Sequence, residues 1–406
     1  MTVATDNSAL IAKKIKELPP LPLVVRKLIQ ITDDDRSNAE DVQQVLSGDQ
    51  ALAGKILKLV NSSFYGMSGE IATISRAVVV LGFAAIRNLA TGLGVAGIMA
   101  QSGKGAHQEL FWSHAITTAS AAQVLATHTG YEDPEEAFIA GLLHDIGHLI
   151  LATVKPDLFA ETMDGKSGDI LAREQNLLGA THTKVGQKVM RHWRLPEKLG
   201  RAIRFHHNVK VAANGEDTLT PLIALADTLA GVHGHIYDQC LDPGDLETLV
   251  KATGMDVVQT GDILRETDDK VEETRLFLKI AADEDPAASP APEPPARNIV
   301  ILCTDPLKAE WVRQVLYFFG HTVVPMKDFF ATAGQDTSRV DLIILDQGSI
   351  TPEQLLKMKP VLSLHRNRLA AFGESRETIE IPQLGYNLPV LPLAFSRYEL
   401  EKLAAD

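Results

Sequence analysis

Cysteine is almost missing: the chain of 406 residues has two, Cys240 and Cys303, far apart in sequence. A CxxC metal or redox motif is thereby excluded, as is a small disulfide-stapled scaffold, and the usage fits a reducing compartment. An excess of basic residues is also missing. Lys and Arg number 39 against 52 Asp and Glu, for a formal net charge of −13. No global field of that sign holds a phosphate backbone, so nucleic acid is not expected as the main partner. The N-terminus, MTVATDNSALIAKKIKEL, lacks the charged region followed by a long apolar run that marks a signal peptide. The most apolar window, Ala77–Ala100, carries Arg87 and Asn88 near its middle, which favours buried helices over a bilayer span. The sequence therefore reads as a soluble, cytoplasmic protein without a membrane partner.

What is present is ordinary globular material, with 45% hydrophobic and 22% charged residues. At about 150 residues per domain, the length predicts two or three domains. The clearest boundary is DEDPAASPAPEPPAR, Asp283 to Arg297, whose prolines favour an extended, semi-rigid spacer. Residues 1–282 are expected to form a mostly helical domain, 283–297 a Pro/Ala-rich linker, and 298–406 a small α/β domain. Within the first, Asp49–Val60 puts Leu52, Ile56, Leu59 and Val60 on one helical stripe, and Asn61–Gly69 breaks it with turn formers. Thr73 or Ser75 caps the helix that follows. Asp133-Pro134 opens a helix through EEAFIAGLLHDIGHLILA, which predicts that His144 and Asp145 lie well inside it. Another helix ends at Arg191–Leu195 before Pro196, and Thr220-Pro221 opens the one carrying Asp227.

Eleven of the 13 histidines fall between His107 and His235. Imidazole and carboxylate together are the donor set for zinc, iron, manganese and similar divalent ions. Consecutive on a helix, His144 and Asp145 would point about 100° apart, so that one ion could meet both. His114, His182, the pair His206-His207, and Asp227 supply further donors. Such a centre makes a hydroxide nucleophile for phosphate esters at neutral pH. Taken singly, a buried histidine is more often a hydrogen-bonded core residue, and His144 with Asp145 could equally fix helix packing. His148 shares the face of His144 and reads as a ligand, a phosphate-facing donor or a rim residue. His107, His128, His192, His233 and His235 flank loops or helix ends and are expected at the surface.

Residues from about Leu18 to Ala230 resemble the HDOD family, a branch of the HD-domain superfamily of bacterial signalling proteins. The resemblance runs in order through LPPLP at Leu18–Pro22, DQALAGKILKLVNSSFYG at Asp49–Gly66, ISRAVVVLGFAAIRNLA at Ile74–Ala90 and FWSHA at Phe111–Ala115. It continues through AGLLHDIGHLIL at Ala140–Leu151, REQNLLGATHTKVG at Arg173–Gly186, HWRLPEKL at His192–Leu199, and the HH pair with LAD behind it. It implies an all-helical domain of two lobes: an N-terminal helical lobe, about residues 10–110, packed on an HD-like lobe, about 111–282. It also implies metal-ligand positions at His114, His144, Asp145, His182, His206, His207 and Asp227, for one or two ions of Fe, Mn, Zn or Mg. HDOD proteins are generally regarded as regulators without the hydrolase activity of their HD relatives. Two departures set this chain apart from the cyclic-di-GMP phosphodiesterase branch. HHNVKVAANGED carries no GYP motif, and His148 stands where that branch has Lys after HDIG, removing a fixed cation from beside the phosphate.

Residues Arg297–Asp406 resemble a receiver domain of two-component signalling, with fewer of its motifs. NIVILCTD reads as a first strand, LKAEWVRQVLYFFG as a helix, HTVVPM as a second strand, and VDLIILD as a buried strand ending at Asp346. In a working receiver the aspartate at that place accepts phosphate. Of the acidic pair that would hold magnesium only Asp305 remains, beside Thr304; His365 is expected near the Ser/Thr position, and LPVLPLAFSRYEL offers no lysine. Magnesium-assisted phosphorylation thus loses most of its electrostatic support, which predicts a pseudo-receiver used for binding or dimerisation.

The functional expectation is a signal-transduction regulator whose HDOD module binds a partner protein or small ligand, within cyclic-di-GMP networks or as a homodimer, under control of the pseudo-receiver. The rival is a metal-dependent phosphohydrolase of a nucleotide or phosphate ester, with Asp145 and His148 as its catalytic groups. A third reading is a switch phosphorylated at Asp346, with Asp305 beside it. The Asn61–Gly66 segment reads as a helix terminator first and a display surface second.

Overall fold

The computed structural model describes residues 7–32, 37–61, 69–100, 106–163, 170–232, 243–282, 296–332, 340–372 and 378–391, with positions 395, 400 and 403. The expected linker core at 283–295, the NSSFYG segment beyond Asn61, and His233 and His235 lie outside these residues, as does the side chain of His107.

The N-terminal helices are α1 (Ser8–Glu17), α2 (Leu23–Thr32), α3 (Ala39–Ser47), α4 (Gln50–Val60) and α5 (Ile74–Ala100). The α4 stripe is buried as the spacing predicts, and Asp49 caps that helix by accepting from the Leu52 N–H. Thr73, not Ser75, caps α5, through the Arg76 N–H. Helices α2, α3 and α4 pack on α5. The first helix does not join them: α1 packs against α8 and α11 of the HD-like lobe introduced below, and Asn7 Nδ2 donates to the carbonyl of Leu178. The lobe boundary near residue 10 therefore cuts through a helix that belongs with the other lobe.

The HD-like lobe comprises α6 (Ala106–Thr129), α7 (Pro134–Leu143), α8 (Ile146–Val154), α9 (Pro156–Met163), α10 (Ile170–Leu177), α11 (His182–Trp193), α12 (Glu197–Phe205), the single turn α13 (Val209–Ala212), α14 (Leu219–Val232), α15 (Pro243–Thr253) and α16 (Thr260–Ala282). Helix α6 is its axis, touching α7, α14 and α16. The Ser120 and Thr274 hydroxyls bond at 3.0 Å where α6 meets α16. Two apolar stretches, Ile74–Ile98 and Pro134–Val154, have the length and hydropathy to cross a membrane. They are 61% and 83% buried inside the fold, however. Each is also interrupted: Gly82 adopts φ +87° within α5, and the second breaks at His144-Asp145.

The C-terminal domain is a small mixed α/β unit of six described strands: β1 (Asn298–Leu302), α17 (Pro306–Phe318), β2 (Thr322–Val324), α18 (Met326–Thr332), β3 (Leu342–Leu345), α19 (Pro352–Leu364), β4 (Leu369–Phe372), β5 (Thr378–Ile381) and β6 (Tyr386–Leu391). The sheet order is β2-β1-β3-β4-β6-β5, all parallel but for β5, which pairs antiparallel with β6. Reversal of strand order between β1 and β3 leaves a crevice at their carboxyl ends, where such sheets place their sites. His365, expected near the Ser/Thr position, is not at the carboxyl end of a strand: it caps α19 at the opposite, amino end of β4, packed on Phe329 at 5.4 Å between ring centroids. The prolonged α19 absorbs the residues before it, through Leu364.

Helix α17 meets the helical domain, packing against α16 and α15. Gly261 faces α17 there, with the end of the Gln314 side chain over it.

Candidate metal centre

His144 and Asp145 are not inside a helix. α7 ends at Leu143, His144 is its C-cap, and Asp145 at φ −102°, ψ 11° is the N-cap of α8. Close backbone packing flanks the break. A Cβ at Gly141 would stand 2.8 Å from Ala119 Cα, and one at Gly147 only 2.0 Å from the His182 carbonyl oxygen. The kink turns both side chains toward α11, α14 and the centre of α6.

There the ligand positions expected from the sequence converge. Asp145, His182, His206 and His207 form one group, and His114, His144 and Asp227 another, each with donor atoms within 4.8 Å of one another. His114 Nε2 lies 3.0 Å from Asp227 Oδ1 and 3.1 Å from His144 Nε2. Asp145 joins the groups, with Oδ1 3.2 Å from His182 Nε2 and Oδ2 3.4 Å from His144 Nε2. His206 and His207 meet through their Nε2 atoms at 3.0 Å, and His207 Nδ1 is 3.5 Å from Asp227 Oδ2.

The far sides of the rings explain the near sides. His144 Nδ1 lies 2.7 Å from the Gly141 carbonyl, His206 Nδ1 2.9 Å from the Ile203 carbonyl, and His182 Nδ1 2.8 Å from Glu174 Oε2. An oxygen at Nδ1 fixes the proton there and leaves the Nε2 lone pair for the centre, as at histidine metal ligands. The Nε2 atom of His182 and Oδ1 of Asp145, although close, are buried with no hydrogen-bond partner among the described residues. Two lone pairs directed into one space, rather than a donor meeting an acceptor, is an arrangement a cation fits.

Electrostatics agree. Burial raises the cost of charge on Asp145 and Asp227, but the surrounding imidazoles hold both carboxyls well below their usual range. Burial likewise opposes a charged His144, yet Asp145 and Asp227 prevail and push it up to about 10. His148 goes up to about 9 against the same burial, through Asp145 and Glu174. His206 and His207 are pushed down, first by burial and then by neighbouring imidazoles. The carboxylates thus draw positive charge into the cluster, and a divalent ion satisfies the same demand.

Glu174 escaped the sequence reading. It sits on α10, fully buried, and bonds both the backbone N–H and the ring of His182, with Oε1 2.9 Å from His148 Nε2. Its signal was its place eight residues before His182 in REQNLLGATH. His148 turns out to be an inner residue rather than a rim one, between Glu174 and Asp145. His128 pairs with Glu266 at 3.0 Å near the surface, and His192 is exposed.

In the second domain Asp346 lies at the carboxyl end of β3, 3% exposed. Its partner is unexpected. Lys308, from the first turn of α17, places Nζ 2.8 Å from Asp346 Oδ2, and Cys303 Sγ is 3.3 Å from the same oxygen. Burial raises the Asp346 pKa, but Lys308 and Ser349 outweigh it and the carboxyl ends below its ordinary value. Asp305 uses its carboxylate to cap α17, accepting from the Lys308 N–H at 2.9 Å.

Comparison with known proteins adds a family. The model described as HDOD domain matches residues 18–209. A curated relative from Treponema pallidum (strain Nichols), named only as uncharacterized, is 29% identical over 236 residues. That match covers 56% of this chain but only 44% of the relative, so the chain spans less than half of the relative's length. A solved structure from Shewanella amazonensis SB2B, named as a candidate phosphohydrolase, is 28% identical with a TM-score of 0.53, covering 66% of this chain and 98% of its own. Another from Marinobacter aquaeolei VT8, named as a candidate signal transduction protein, shares the fold at 24% identity and a TM-score of 0.53, covering 69% and 68%.

Proposed function

Residues 18–209 being an HDOD domain, we propose that the protein is a signal-transduction regulator in which that domain carries a buried divalent metal centre and acts by binding a protein partner. The α/β domain serves as a pseudo-receiver that braces it. The supporting observation is enclosure. Within the ligand cluster His207 and Asp227 are the most exposed, and their side chains are only 8% and 12% accessible. A metal ion needs little more than that, whereas an ester must bring its phosphorus to the donors. The Lys308–Asp346 pair supports the pseudo-receiver half, because a carboxylate already matched by an ammonium is a poor phosphoryl acceptor.

His114, His144, Asp145, His182, His206, His207 and Asp227 are the residues that would hold the ion or ions. When bound, a divalent ion supplies Lewis acidity toward a phosphoryl oxygen, which keeps the phosphohydrolase reading as the specific alternative. The experiment is elemental analysis of full-length protein purified without chelator, beside His144→Ala/Asp145→Ala, followed by a screen with bis(p-nitrophenyl) phosphate and cyclic dinucleotides. One or two ions per chain, lost in the variant, with no turnover, is the result the proposal requires. Turnover that disappears in the variant would replace it by the hydrolase, and a metal-free wild type would remove the metal centre altogether.

A further inference from the structure

We infer that Glu174 is a positioning residue of the metal centre: one carboxylate fixes the metal-ready form of His182 and ties His148 to the same support. The inference rests on the metal-centre reading above and adds a residue that the donor set does not contain.

The geometry separates Glu174 from the ligands. Its Oε2 meets His182 at Nδ1, while the Nε2 of the same ring is the atom that faces Asp145. The two nitrogens diverge across the imidazole, so an ion taken by Nε2 has the ring between itself and that oxygen. The same Oε2 accepts the His182 backbone N–H at 2.8 Å, which anchors the first turn of α11 as well as its ring. The other oxygen, Oε1, lies 2.9 Å from His148 Nε2, and His148 Nδ1 lies 3.4 Å from Asp145 Oδ2. Glu174, His148 and Asp145 therefore form a closed chain of contacts around His182. Although His148, Glu174 and His182 are close enough to be counted as donors, hydrogen bonds commit Glu174 Oε2 to the ring and backbone N–H of His182, while Oε1 makes only the ionic approach to His148.

A carboxylate in that place raises the donor strength of His182 and removes rotation of its ring. Glutamine at 174 would preserve size and could still accept the Nδ1 proton, but would bring no charge. Aspartate would keep the charge and lose one methylene of reach, so it cannot span both rings equally well.

The test uses full-length protein stripped of metal, with Co2+ as the probe, and follows both affinity and the visible d–d band. Glu174→Gln, folded by circular dichroism, is expected to weaken Co2+ binding by about 10–100-fold, the range for lost outer carboxylates, and to shift the band. Glu174→Asp is expected to restore part of the affinity. If Glu174→Gln does not fold, Glu174→Asp decides: a weaker affinity with an altered band supports the role, and wild-type values overturn it. A folded Glu174→Gln with wild-type affinity and band also overturns it. Loss of one whole ion per chain, with the remaining ion's band unchanged, overturns it in favour of a direct ligand. A wild type that takes up no Co2+ overturns it together with its premise, and is told apart because no variant is needed to see it.

Discussion

Buried acids in the two domains of this chain have been neutralised in opposite ways. In the HD-like lobe, Asp145, Glu174 and Asp227 face imidazoles, several of which keep their protons on outward atoms and turn lone pairs inward. In the α/β domain, Asp346 faces the ammonium of Lys308. An ammonium has three protons and no lone pair, so it closes a site. An imidazole has both, so a cluster of them leaves room for a cation while carrying its own charge until one arrives. The same electrostatic problem yields a receptive centre in one region and a finished contact in the other.

The contrast breaks most readily at the finished contact. Lys308→Met strands a buried carboxylate and should cost about 3–5 kcal/mol in urea unfolding, most of it recovered by adding Asp346→Leu. At the receptive centre His207→Ala, which removes one of several imidazoles at the accessible edge, should cost only about 1 kcal/mol. Equal costs would mean that the imidazole cluster is as inflexible as the ion pair.

Metal should act on one region alone. At 100 times its dissociation constant, Zn2+ or Mn2+ should stabilise the wild type by about 2.7 kcal/mol. The Lys308→Met/Asp346→Leu variant should show the same gain and His144→Ala/Asp145→Ala none, as measured by thermal unfolding.

Acid should find the other region. Because the Asp346 pKa is lower in the folded state than unfolded, its contribution is present above the unfolded value and lost as pH falls through the folded one. The stability gap between wild type and Lys308→Met/Asp346→Leu should be flat above about pH 5 and shrink below about pH 4, and a gap that widens in acid would refute the assignment. The smallest effect concerns Cys303. Burial first, and Asp346 beside it, push its thiol up to about 11. In a Cys240→Ser background, iodoacetamide should react slowly at neutral pH and accelerate only in alkali.

Much of this was legible in the sequence, and what escaped did so for physical reasons. The histidines and aspartates of the centre were visible because chemistry constrains residue type, and their caps and prolines marked the helices that carry them. The break at His144-Asp145 was hidden because the cap at Asp133, the proline at 134 and the long apolar run to Val154 favour helix, and single glycines at 141 and 147 are tolerated within one. Tertiary contacts, Gly141 against α6 and Gly147 against His182, flank the break. Glu174 was not singled out, since nothing local says that its carboxylate reaches the backbone and ring of His182 at the start of α11. Lys308 has a helical spacing ordinary for an exposed lysine; only the parallel order of β1 and β3 brings it over Asp346. His365 was misplaced because the receiver resemblance put it near the Ser/Thr position, whereas α19 runs through Leu364 with Pro360 inside it and His365 caps that helix.

The contact between Gly147 and His182 has a consequence of its own. Backbone touches backbone there, with no side chain between to change rotamer, so the spacing of Asp145 and His182 is set by main-chain packing. The Asp145–His182 edge of the cluster is held by the main chain. Ions should therefore be sorted by size and by how readily they shed water, and the speed of loading should be governed by that shedding and by passage past His207 and Asp227 rather than by any folding of the protein around its guest.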